Sequence, residues 1–263
     1  MKIQNLIQAI KTGQVLTSHY FKKMGISKEL VHKYKKSGWI ISIGHDAYVL
    51  SNSKPSLASA IYAFQMDFNY PIHIGGLFAL ELQGEGHYFY PDSKSKVHLY
   101  NHSIEPALIL PKWFSSYNWQ KYKVILKNKK LFGLNNFSKA SLKTIEIDKF
   151  EINISGRERS ILELISEIKD TFSFMECSEI LEHLHGLRVE ILQDLLNSCE
   201  SIKTKRIFLF LSGYHKKDYL SQLKKEFIDL GTGWRQVVKN GQQNEEYLIT
   251  IPKEIIVLEE NQF

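Results

Sequence analysis

The chain has 263 residues, 43% hydrophobic and 24% charged, with two cysteines and a formal net charge of +6. That length and apolar content support a buried core and exclude a disordered chain, and no run approaches the ~20 apolar residues that a membrane span needs. Cys177 and Cys199, with no CxxC pair, exclude a disulfide scaffold; without an export-type leader they predict a protein of the reducing cytoplasm.

The charge is unevenly placed. Residues 1–50 hold eight lysines against Glu29 and Asp46, a net +6, and the rest of the chain sums to zero. A concentrated surplus makes a local positive field suited to a polyanion, although a solvated lysine-rich helix would look the same by charge alone. Local structure separates the two readings. Ile3, Leu6, Ile7 and Ile10 recur at helical spacing before Gly13. Thr17 then caps a short helix, with Leu16 and Phe21 as its hydrophobic staple and Gly25 as its stop. The device repeats at once: Ser27 caps, Ile26 staples to Val31, and the helix runs to about Ser37 with Gly38 behind it. Two helices joined by a tight glycine turn are the signature of a helix-turn-helix.

At 100° per residue the second of these helices turns Leu30, Val31 and Tyr34 inward. Glu29, His32, Lys33 and Lys36 face outward, with Lys28 and Lys35 on the flanks, a shape that suits the major groove. Ser18 and His19, beside the Thr17 cap, are placed to meet phosphate through side chains and backbone N–H groups. Glu29 is either an acceptor for a cytosine amine or a local repulsion. Two strand-like segments follow, 39–43 and 47–50, with Gly44-His45-Asp46 as the turn between them. Three helices and a hairpin make a winged helix-turn-helix, with His45 at the wing tip. The candidate DNA contacts are therefore Thr17, Ser18, His19, Ser27, Lys28, Glu29, His32, Lys33, Lys35, Lys36 and His45. A module that only docks another protein is the competing reading.

Residues 51–56 form a polar hinge, which divides the chain into a winged helix at 1–51 and a mixed α/β domain at 55–263, an α+β protein overall. The patterns predict helices at 57–68, 74–82, 157–168, 177–184, 189–199, 203–211 and 219–227. They predict strands at 96–100, 122–126, 150–154, 236–239 and 247–251. No chemistry-bearing motif is complete. Gly231-Thr232-Gly233 lacks a third glycine, and the two histidines of Glu182-His183-Leu184-His185 lie on different helix faces. Pro91-Asp92 is followed by no strand-borne carboxylate-x-lysine pair at a sensible spacing, and Glu146-Ile147-Asp148 lacks the Gly-Ser turn of a nucleotidyltransferase and reads as a strand edge. Both cysteines read as small core residues. The expectation is therefore no enzyme, no metal and no cofactor. The basic segments 203–206 and 234–239 read as solvated helix edges, the alternative being a second polyanion or partner surface.

Six segments carry a resemblance across nearly the whole chain. They are Ala79-Leu80-Glu81-Leu82-Gln83-Gly84 with His87-Tyr88, Val97-His98-Leu99-Tyr100, and Arg157-Glu158-Arg159-Ser160-Ile161-Leu162-Glu163. Further on come Lys203-Thr204-Lys205-Arg206-Ile207-Phe208-Leu209, Ile228-Asp229-Leu230-Gly231-Thr232-Gly233 and Tyr247-Leu248-Ile249-Thr250-Ile251-Pro252. In this order they resemble the AbiEi-type antitoxins of type IV toxin–antitoxin systems. The resemblance implies an N-terminal winged helix that binds inverted repeats of double-stranded operator DNA and represses its own operon. It implies a larger antitoxin domain that counters a cognate nucleotidyltransferase toxin of the AbiEii type, with no membrane partner and no transferable catalytic set. The wing departs from the family pattern, with His45-Asp46 where Arg-Gly is common, which shifts weight to the recognition helix. A nuclease-like enzyme that uses a winged helix to deliver its substrate, and a regulator with a ligand-sensing domain, are the rival readings.

Overall fold

The computed structural model describes residues 3–85, 95–102, 107–133 and 139–255, so His87-Tyr88 and Pro91-Asp92 lie outside the described residues. The chain divides into two compact units. The first comprises residues 1–73, 92–128 and 144–154, the second 74–91, 129–143 and 155–263. The polar hinge at 51–56 lies inside the first unit.

The first unit opens with α1 (Ile3–Ala9), β1 (Leu16–Thr17), α2 (Ser18–Lys23) and α3 (Lys28–Lys36), followed by the hairpin β2 (Ile40–Gly44) and β3 (Ala47–Leu50). The strands form a small antiparallel sheet in the order β1-β3-β2. Thr17 accepts from the Tyr20 N–H at 3.0 Å and Ser27 from the Leu30 N–H at 3.4 Å, so both predicted caps form. Leu6, Ile10, Leu16, Phe21, Ile26, Val31, Tyr34 and Ile40 close one apolar core beneath the three helices. The chain leaves α3 through Gly38 at φ +72°, the left-handed stop that its lack of a Cβ permits.

Beyond the wing come α4 (Leu57–Met66), β4 (Ile72–Gly75), α5 (Gly76–Glu81), β5 (Ser95–Asn101), α6 (Lys112–Ser116), β6 (Tyr122–Lys127), β7 (Leu142–Ile147) and β8 (Phe150–Ser155). A five-stranded sheet runs in the order β6-β5-β4-β8-β7, with β5 and β6 parallel. Asp148 and Lys149, both at positive φ, turn the chain between β7 and β8. Within the first unit the buried Gln65 amide clamps two strands: it donates to the carbonyls of Ile72 and Asn153 and accepts from the Asn153 N–H.

The second unit is mainly helical: α7 (Arg157–Ser166), α8 (Thr171–His183), α9 (Val189–Ser198) and α10 (Ile202–Tyr214), followed by 3-10 turns and the short ladder β9 (Gln242–Asn244) with β10 (Ile249–Ile251). Its core gathers Ile161, Leu162, Phe174, Leu181, Leu196, Ile207, Phe208 and Ile249, all buried. The fold class is α+β. Several expectations are corrected. Residues 72–75 form a buried strand, so the helix expected at 74–82 begins only at Gly76. The helix expected at 219–227 is two 3-10 turns, Asp218–Gln222 and Lys225–Phe227, and no strand forms at 236–239. No described helix is long and apolar enough to cross a membrane.

Candidate nucleic-acid interface

Helix α3 owes its orientation to a narrow apolar stripe. Val31 and Tyr34 are buried and Leu30 packs against the same core, which leaves the opposite face to solvent. Ser27, Lys28, Glu29, His32, Lys33, Lys35 and Lys36 are all exposed there. The structure thus gathers seven of the eleven candidate contacts on one helix face. Glu29 takes a local role: the Ser27 hydroxyl, its own backbone N–H and neighbouring Lys28 hold its carboxyl below the usual range. Placed in the first turn, it complements the positive end of the helix, a third reading beside base acceptor and repulsion.

The other four candidates divide. His19 is exposed and rests on the ring of Phe68, centroids 4.5 Å apart. Ser18 is half-buried, and its backbone N–H donates to the Asp46 carbonyl at 3.2 Å, so that N–H serves the wing turn rather than a phosphate. Thr17 is removed from the set. It is fully buried, and its hydroxyl donates to Asp67 at 3.0 Å while accepting from Tyr20, so its side chain has no path to a ligand. His45 stands out at the wing tip, 88% exposed, with its Nδ1 3.2 Å from Asp46 Oδ2. The wing is braced from behind: a Cβ on Gly44 would lie 2.5 Å from the Cβ of Trp113, so only glycine lets α6 pack this close to β2.

A second group of cations lies beyond residue 50, concealed by the neutral total of that part of the chain. Residues 106–145 carry eight lysines and no carboxylate. Lys112 sits on α6 beside the wing, and Lys121 and Lys123 are exposed on or next to the edge strand β6. Lys123 is register partner to the exposed Lys96 of β5, and two like charges side by side cost stability unless an anion answers them. The readable signal was local: forty residues without an acid inside a neutral total.

In the second unit, the basic segment 203–206 is no solvated edge. Arg206 is 2% exposed; its guanidinium donates to the carbonyls of Leu230, Gly231, Gly233 and Leu248 at 2.6–3.1 Å, and Lys203 donates to the Ile168 carbonyl. The exposed Trp234 and the half-buried Arg235 lie on the loop so gathered. Glu163 accepts from the Gly76 N–H, the Ser155 hydroxyl and Arg159, all within 3.1 Å, and Glu158 takes a bidentate grip from Arg188 at 2.9 Å. These charged residues of the family-like segments are spent on holding backbone. Both cysteines are buried, and burial raises their thiols, Cys199 to about 11 and Cys177 further, out of nucleophilic range. A Ser178–His215 hydrogen bond of 2.8 Å, unsignalled by any motif, lies beside a hollow of about 470 Å³ lined by His215, Lys217 and Glu182.

Comparison with known proteins places the chain in a family. Residues 1–90 match the model for the "AbiEi antitoxin N-terminal domain" of transcriptional regulators, and residues 94–252 match "Transcriptional regulator, AbiEi antitoxin, Type IV TA system". No curated protein matches. Among solved structures, the crystal structure of the RV2827C protein from Mycobacterium tuberculosis shares the fold, with a TM-score of 0.58 at 13% identity over 99% of this chain and 93% of that one. The chain belongs to the AbiEi antitoxin family, the transcriptional regulators of type IV toxin–antitoxin systems.

Proposed function

We propose that this antitoxin docks the exposed face of α3 in the major groove of double-stranded operator DNA, with the wing and Ser18–His19 against the backbone, and so represses its own operon. The observation that carries this reading is the α3 face itself: four lysines and a histidine turned to solvent by two buried anchors. No arginine precedes Arg157, so the charge offered to DNA is all lysine, a point charge that holds phosphates well and reads guanine less strictly than an arginine fork. We take residues 1–51 as the reading module and 55–263 as the part that counters a nucleotidyltransferase toxin, working in the cytoplasm and without catalysis of its own. The inert thiols and the structural use of Glu158, Glu163 and Arg206 support the last point. Lys96, Lys112, Lys121 and Lys123 extend the positive surface available to the operator.

The test is a gel-shift salt series on the protein's own upstream region. Lys33→Ala with Lys36→Ala lowers affinity and flattens the plot of log K against log salt by roughly one to two units, because each phosphate contact contributes a slope of about 0.9. An unchanged slope refutes the assignment of α3. Rescue of toxin-expressing cells by residues 55–263 supports the division of labour, and turnover of labelled DNA or tRNA with Mg²⁺ or Mn²⁺ favours an enzyme instead.

A further inference from the structure

Between the start of α2, the wing turn and α6 the first unit has a half-open hollow of about 490 Å³, within the range of small-molecule sites. Its walls are aromatic. His19 lies on Phe68, and Trp113 backs the hollow, itself packed 5.5 Å from Phe64 in the core. The rim is polar and mixed in sign: Lys112, His45 and Ser18 line the same space as Asp46, whose carboxylate lies 3.2 Å from the His45 Nδ1. Flat walls take a flat ring by stacking, an ammonium and a hydroxyl take a phosphate, and a carboxylate accepts from ring or exocyclic N–H groups. A planar base carrying a single phosphate matches all three demands and the volume.

We propose that this hollow binds a nucleoside monophosphate and that its occupant competes with operator DNA. Competition follows from shared residues, since Ser18, His19 and His45 both line the hollow and belong to the surface offered to the DNA backbone. That clause rests on the operator-binding reading; the site itself does not. The hollow is also held in one shape, because Gly44 abuts Trp113 and the Ser18 N–H is bonded to the Asp46 carbonyl. A ligand there meets a formed site and loses little affinity to reorganisation.

Equilibrium dialysis of the full chain against labelled AMP, GMP, CMP and UMP tests the site, with inorganic phosphate and free nucleosides as controls. Saturable one-to-one binding of a monophosphate is expected. Lys112→Ala weakens it about ten- to hundredfold, the loss of one charge-assisted contact, and His19→Ala weakens it through lost stacking. Both side chains are exposed, so both variants fold. Saturating nucleotide then lowers operator affinity of the wild type in gel shift. The proposal is overturned by the absence of saturable binding, by equal binding of phosphate alone, by binding that ignores both variants, or by operator retention that nucleotide leaves unchanged. Failure of the unliganded wild type to retain operator counts against the DNA reading, and dialysis still decides the site.

Discussion

Thr17 shows how completely one side chain can be committed in this fold. Its hydroxyl caps α2 and satisfies Asp67, whose carboxyl burial pushes above its ordinary range while the Thr17 hydrogen bond pulls it back. Thr17→Val keeps the shape and deletes both bonds, so thermal or urea unfolding should report a loss of about 1–2 kcal/mol. Because the residue touches no ligand, the salt slope of operator binding should stay at its wild-type value under native conditions. Gly44 is committed in the opposite way, by having no side chain at all. Gly44→Ala drives a methyl into Trp113, and relieving it displaces either the wing or α6. Overpacking of this kind costs about 1–3 kcal/mol. Since the wing turn carries His45, operator affinity should fall beyond what the unfolded fraction explains, measurable by gel shift at a temperature where the variant remains folded.

At the scale of elements, legibility follows the range of the interactions. The caps and staples of α2 and α3 lie within four residues of one another, and both helices form where Thr17, Ser27, Gly25 and Gly38 place them. The outward lysines of α3 follow from the same short period. What the sequence concealed depends on distant partners. Residues 72–75 are a strand because neighbouring strands of a five-stranded sheet take up their backbone, and four buried residues with no alternation read equally as the start of a helix. Residues 218–227 lose their helix to two 3-10 turns, and Gln193 supplies side-chain bonds to Lys224 from 31 residues away. Arg206 is the plainest case: the acceptors of its guanidinium lie 24 to 42 residues downstream, so nothing near it in the chain announces a buried cation. Arg206→Lys keeps the charge and loses the planar fork that serves four carbonyls. Denaturant unfolding should show a loss of about 2–4 kcal/mol, larger than any single-lysine substitution on α3 causes.

At the scale of the whole molecule the charge is sorted between the two units. The first holds sixteen lysines, no arginine and eight carboxylates, a net +8, and the second holds the compensating −2. The first unit therefore carries a surplus of lysines over carboxylates, and pH should act on stability through the groups that burial shifts. In the second unit His215 is half-buried beside Ser178, and burial pushes its imidazole below the ordinary range, with Lys217 adding to the effect and Glu182 opposing it. The native state thus binds fewer protons at this group than the unfolded chain, so its contribution is complete above the unfolded pKa of about 6.5 and is lost as pH falls toward the native value. Asp67 and Glu81, both raised by burial, take up protons earlier in the native state and act in the opposite sense, so the wild-type curve alone does not isolate His215. The difference between wild type and His215→Gln does. Glutamine can still meet the Ser178 hydroxyl but cannot become a cation, so its stability deficit should be largest above pH 7 and shrink as pH falls from 7 to 5, followed by denaturant unfolding at each pH. A deficit that widens in acid would mean that the fold prefers the imidazolium, and that Glu182 outweighs burial at this position.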